Sequence, residues 1–225
     1  MTWRRIACSH WSATVPPIDV SFYVIVDHGI EDRFSPEDFT GQVIEGGATC
    51  LQVRCKREST RSFMDFASRV MSAVEPEGVP VIINDRLDIA LALGAAGVHL
   101  GADDMPVADA RRVGGAGLVI GASVQDVRAA AKAARDGADY LGVGAIYPTP
   151  TKPDRRPISL DMLRAIRVEI DLPIVAIGGI TADNASVPLE NGADGVAVIS
   201  ALRQCLIPRE AALRLRQAVD RAKKR

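Results

Sequence analysis

The chain has 225 residues, 48% hydrophobic, 24% charged and 4% aromatic, with 27 basic against 28 acidic residues and a net charge of −1. That composition reads as a soluble globular protein with enough chain for one sizeable core. A balanced charge excludes a global field that would draw nucleic acid or anionic lipid, and no apolar run reaches the ~20 residues of a membrane span.

Residues 1–20, MTWRRIACSHWSATVPPIDV, carry an Arg pair but only a short, broken apolar stretch. They read as a loosely ordered tail and not as a secretory signal. Four cysteines, Cys8, Cys50, Cys55 and Cys205, form no CxxC pair, and three histidines make no HExxH. Zinc is not expected, and a cytoplasmic, reducing setting is the simplest one.

From Phe22 onward two textures alternate. Apolar or β-branched runs at 22–26, 49–53, 79–83, 96–100, 117–121, 138–144, 172–177 and 194–199 read as strands. Helical periodicity occupies 36–46, 59–74, 85–95, 106–113, 124–137, 159–170, 181–192 and 208–223. Three helix-to-strand junctions nearly repeat, EGGATC, RDGADY and ENGADG, each with a glycine suited to a left-handed helix end. Eight alternations fit a single (β/α)8 TIM barrel better than a doubly wound sheet, and no linker divides residues 21–225. The basic end DRAKKR reads as a solvated helix terminus.

Such a barrel gathers its chemistry at the C-terminal ends of its strands. In CLQVRCK, residues 50–56, alternation puts Gln52, Arg54 and Lys56 on one face with Cys50, and Leu51, Val53 and Cys55 on the other. Unpaired charge is costly to bury, so that face either runs into water or meets an anion. The third strand ends in Asn84 and Asp85, the fourth in Asp103 and Asp104. Taken singly, Asp85 and Asp104 read as helix starts. Together, on neighbouring strands, they suit a hard cation such as Mg2+, which is bound through few carboxylates plus substrate phosphates.

Ser123, at the fifth end, reads either as a helix cap or as a ligand contact. The sixth connection, GAIYPTPTKPDRRP, is long enough to read as a functional loop and carries Thr149, Thr151 and Lys152 among prolines. Gly178 and Gly179 at the seventh end let a backbone N–H approach a ligand beside a helix start, and Ser200 follows the eighth strand. Barrels often bind phosphate at these last two loops. Cations, paired acids and a separate glycine cradle point to one substrate with condensed phosphates and a second with a single phosphate. No Ser-His-Asp set or dinucleotide GxGxxG is present, and His99 reads as a satisfied core residue.

Seven motifs, LQVRCK, INDR, GVHLGADD, GAS, YPTPTK, VAIGGI and VAVISAL, make residues 22–200 resemble the thiamine phosphate synthase family in order and spacing. The resemblance implies a (β/α)8 transferase that condenses hydroxymethylpyrimidine diphosphate with a thiazole phosphate, giving thiamine phosphate and pyrophosphate. It implies that Gln52, Arg54, Lys56, Asn84, Ser123 and Lys152 contact the diphosphate, and that Asp85 and Asp104 hold Mg2+. Thr149, Thr151, Gly179, Ile199 and Ser200 match the thiazole phosphate site. Arg54, Lys56 and Lys152 are the implied catalytic cations. The implied partners are these two small molecules, not nucleic acid or membrane, and a homo-oligomer is left open.

The chain departs from the family pattern at Cys55, Ala102, Gln125 and Ala145, which bear on substrate orientation and not on the metal acids. The nearest relative, a thiazole tautomerase branch, tends to lose the TxTK segment that is intact here and to carry a His near position 145. A non-catalytic, phosphate-binding regulatory barrel is the other alternative, and it would have no use for both acids.

Overall fold

The computed structural model describes residues 18–149 and 157–224. Residues 1–17 of the expected tail, and Thr151 and Lys152 among the expected site residues, lie outside them. The described residues form eight strands: β1 Phe22–Asp27, β2 Cys50–Arg54, β3 Val81–Asn84, β4 Gly97–Leu100, β5 Val119–Val124, β6 Tyr140–Gly144, β7 Ile174–Ile177 and β8 Gly195–Val198. They pair in chain order, all parallel, and β8 closes on β1 to make a barrel. The helices are α1 Pro36–Glu45, α2 Thr60–Val74, α3 Leu87–Leu93, α4 Val107–Gly114, α5 Val127–Arg135, α6 Leu160–Glu169, α7 Ser186–Glu190, α8 Ser200–Arg203 and α9 Pro208–Lys223.

Local chemistry explains where these elements begin. Ser35, Ser59, Asp126 and Ser159 each accept a hydrogen bond from a backbone N–H three residues on, capping α1, α2, α5 and α6. The runs at 79–83 and 172–177 become strands only at Val81 and Ile174, after Pro80 and Pro173, which have no N–H for the ladder. The helix expected over 181–192 shrinks to α7. Asn184 intervenes: its side chain accepts from Thr181 N at 2.8 Å and donates to Gly179 O at 3.0 Å, holding the chain in turns. The short α8 was not expected from the sequence.

The repeated junctions share a further device. Glycines 47, 137 and 192 all have φ between 94° and 101°, open to glycine at little steric cost. Two residues on, Thr49, Asp139 and Asp194 each accept from a backbone N–H at the start of the preceding strand, at Phe22, Ile120 and Ile174. At these three junctions the lower-rim donors of β1, β5 and β7 are thereby satisfied.

Two apolar layers result. Outward residues such as Leu51, Val53, Val98 and Ile120 pack with the helices in one cluster, while Cys50, Ile82, Val119 and Val175 fill the barrel interior in another. α2 supplies the outer layer with Phe63, Phe66, Ala67, Val70 and Val74, a helical stripe. Among the described residues no helix is long and apolar enough to cross a membrane.

Candidate active site

The barrel interior grows more polar from bottom to mouth, as β2 illustrates with Cys50, Gln52 and Arg54 pointing inward in turn. Above the apolar floor, Gly121 lies in register with His99 on one side and Tyr140 on the other. A Cβ at Gly121 would stand 2.2 Å from Tyr140 Cζ and 2.5 Å from His99 Nδ1, so only glycine admits both rings. The side chains thus accommodated form a chain of hydrogen bonds. Gln52 Nε2 donates to Tyr23 Oη at 3.0 Å, Tyr23 and Tyr140 hydroxyls meet at 2.9 Å, and His99 links Tyr140 (3.0 Å from Nδ1) to Ser123 (2.9 Å from Nε2). His99 is therefore well partnered, as expected, but it lines the pocket instead of lying in closed core.

This layer forms the base of a pocket with an empty volume of about 940 Å³, solvent-open mouth included. Its wall brings together Gln52, Arg54, Asn84, Ser123, Thr149, Gly179, Ile199 and Ser200, which the sequence scatters over nearly the whole barrel. Gln52 and Asn84 are buried at 3% and 7% exposure. The buried Asn84 Nδ2 has no hydrogen-bond partner among the described residues, a costly state that a ligand oxygen would relieve. Gly178 and Gly179 have φ of 102° and 63°, and their loop lies close against the β6 loop. A Cβ on Gly179 would come within 2.7 Å of Pro148 O.

Arg54 is ion-paired with Asp27, the last residue of β1, and Asp27 Oδ1 also lies 3.5 Å from Arg203 Nη1. Lys56, exposed on the rim, bonds the Asp85 carboxylate. Asp85 has φ of 65°, rare for a residue with a side chain, and its N–H is held by His99 O at 2.8 Å. Asp104 accepts from Gly101 N at 2.7 Å; burial, and then its hydrogen bond to Asp85, push its carboxyl above the usual range. Two carboxyls forced together in this way fit a hard cation, which would relieve their repulsion and leave its other positions to water and phosphate.

Three helix-start readings are corrected here. The cap positions of α3 and α4 are Arg86 and Pro106, with no side-chain cap, so neither Asp85 nor Asp104 is spent on capping. Ser123 lies inside β5, which runs on to Val124, and Asp126 does the capping of α5. The dipole expected beside Gly179 is also displaced, because α7 starts only at Ser186. Sequence reasoning missed Tyr23 and Tyr140 as pocket groups and Asp27 as the partner of Arg54. The glycines inside β5 and β6 were the available signal, since a strand glycine marks a close approach.

The thiamine monophosphate synthase profile matches residues 22–202. The chain belongs to that family. A thiamine-phosphate synthase of Chloroflexus aurantiacus is 50% identical over 186 residues, 82% of this chain and 86% of that protein. Another from Albidiferax ferrireducens is 45% identical, with 88% and 91% covered. Among solved structures, a thiamine phosphate pyrophosphorylase from Pyrococcus furiosus superposes with a TM-score of 0.83 at 38% identity, covering 91% of this chain and 97% of its own. Membership makes this barrel a transferase of thiamine biosynthesis that condenses a pyrimidine with a thiazole moiety. These relatives give no support to the tautomerase or the regulatory barrel.

Proposed function

We propose that the mouth pocket joins hydroxymethylpyrimidine diphosphate to a thiazole phosphate, releasing pyrophosphate and giving thiamine phosphate. The observation that carries this reading is the convergence of Arg54, Asn84, Ser123, Gly179 and Ser200 on one pocket, beside the Lys56–Asp85–Asp104 rim. The diphosphate is assigned to the β2–β5 side, against Gln52, Arg54, Lys56, Asn84 and Ser123, and Lys152 is assigned to it as well. The thiazole phosphate is assigned to Thr149, Thr151, Gly179, Ile199 and Ser200.

Asp85 and Asp104 are the residues that would hold Mg2+, and a bound Mg2+ supplies charge neutralisation to the diphosphate. Arg54, Lys56 and Lys152 stabilise the negative charge that grows on the departing pyrophosphate as the pyrimidine CH2–O bond breaks and the oxygen keeps the electron pair. The thiazole nitrogen then donates its lone pair to the CH2 carbon. No protein nucleophile or strong base is required. What the walls contribute is approximation of the two rings, together with exclusion of water that would trap the carbon. The loop 145–157 is the proposed lid.

The test is purified protein with both phosphorylated precursors and Mg2+, followed by pyrophosphate release. Release that requires both substrates supports the reading. Turnover of the thiazole compound without the diphosphate would mean an isomerase, and binding without turnover a regulatory barrel.

A further inference from the structure

The hydrogen-bond chain beneath the pocket has a direction. Gln52 Nε2 donates to Tyr23 Oη, so the proton of this wholly buried phenol needs another acceptor. Tyr140 Oη, 2.9 Å away, is that acceptor among the described residues. If Tyr140 donated to Tyr23 instead, Tyr23 would receive two protons and keep a buried donor unsatisfied. Tyr140 therefore sends its own proton on to His99 Nδ1 at 3.0 Å. With Nδ1 accepting, the neutral imidazole carries its proton on Nε2 and donates to Ser123 Oγ at 2.9 Å. Burial, before any neighbour's charge, pushes both phenols well above the ordinary tyrosine range, so both remain proton donors. The last proton, that of the Ser123 hydroxyl, is left for the pocket that Ser123 lines.

We propose that Tyr23, Tyr140 and His99 are positioning residues whose one-way relay locks His99 as the Nε2–H tautomer and turns the Ser123 hydroxyl into an obligate donor toward an anionic oxygen of the diphosphate. The proposal rests on the placement of the diphosphate against Ser123. It gives the buried polar layer a purpose that an apolar floor could not serve: a serine free to rotate donates to His99 as readily as to a ligand, whereas this one can only donate outward. Gly121 and Gly142 belong to the same device, because a Cβ at either would press on the His99 ring, at 2.5 Å and 2.9 Å.

Two measurements test it. In wild-type protein with 15N-labelled histidine, kept above the imidazole titration range and with the His99 signal assigned by its loss in His99→Gln, long-range couplings report the tautomer. Nε2–H is expected, and Nδ1–H overturns the relay. Calorimetry with pyrophosphate and Mg2+ then compares Ser123→Ala, Tyr140→Phe and the double variant. Each single change is expected to weaken binding about tenfold, the value of one hydrogen bond to a charged group. The double variant is expected to be no worse than Ser123→Ala, because Tyr140→Phe acts only through that hydroxyl; additive losses overturn the relay. Nε2–H with unchanged binding by Ser123→Ala upholds the relay and overturns the diphosphate placement instead. Should Tyr140→Phe fail to fold, the tautomer in the unaltered protein still decides.

Discussion

Arg54 stands directly opposite Asp27 in the register of β1 and β2, and its guanidinium is hydrogen-bonded to that carboxylate, with both side chains about 15% exposed. The pair holds a cation at the mouth that would otherwise be free to swing away from it. Asp27→Asn is expected to keep the fold but raise the KM for the pyrimidine diphosphate by about tenfold, since the lost bond is charge-assisted. Steady-state kinetics with the diphosphate varied check this; an unchanged KM with a lower Tm would make Asp27 purely structural.

The neighbouring carboxyls of Asp85 and Asp104 make a second prediction. Each repels the other when no cation lies between them, so Asp104→Asn is expected to raise Tm slightly in metal-free buffer. Pyrophosphate binding that depends on Mg2+ should disappear in Asp85→Asn and in Asp104→Asn. Differential scanning calorimetry and titration calorimetry, with and without EDTA, read both effects, and equal pyrophosphate binding in EDTA by the wild type would count against the metal site.

At Gly121 the demand is steric. An added methyl would overlap the Tyr140 ring and the His99 imidazole between two strands that cannot part. Overpacking of this kind costs typically about 1–3 kcal/mol, so Gly121→Ala should lower Tm by several degrees, at about 2–4 °C per kcal/mol for a chain of this size. Thermal unfolding by circular dichroism measures it.

Burial, and then the charges of Glu58 and Asp27, push the Cys55 thiol up to about 12, and Cys50 is pushed up by burial as well. Thiolate is the reactive form, so neither should be alkylated by iodoacetamide at pH 8 in the folded protein. Mass spectrometry of digests before and after denaturation checks it: modification of either in the native state contradicts the packing.

Arg69 binds both carboxylate oxygens of Glu37, at 2.7 and 2.9 Å, and this bond holds the Glu37 carboxyl below the usual carboxylate range. A depressed carboxyl contributes stability above its unfolded pKa, and loses it as pH falls through its folded value. The pair is exposed, so the effect is below about 1 kcal/mol and screened by salt. Urea melts should therefore separate wild type from Arg69→Met near neutral pH and bring them together in acid.

Much of the molecule was legible in the chain itself. Periodicity alone implied eight strands, because in a parallel barrel every strand is buried between helices and interior and so reads as an apolar run. The polar face of CLQVRCK and the acids of INDR and HLGADD announced the mouth for a related reason: charge at the end of a buried strand has few bland uses. Helix ends were less legible. Asp85 and Asp104 resemble caps in sequence, and only their placement shows that the cap positions fall to Arg86 and Pro106.

What tertiary structure alone decided are the relations across strands. Local sequence carries strand and helix content, since side-chain alternation and helical spacing act over a few residues. It carries no record that Arg54 meets Asp27, or that Gly121 makes room for Tyr140 and His99, because those partners lie 19 to 41 positions apart. Closure of the barrel brings them into register, and steric fit and hydrogen bonding then determine which of them touch.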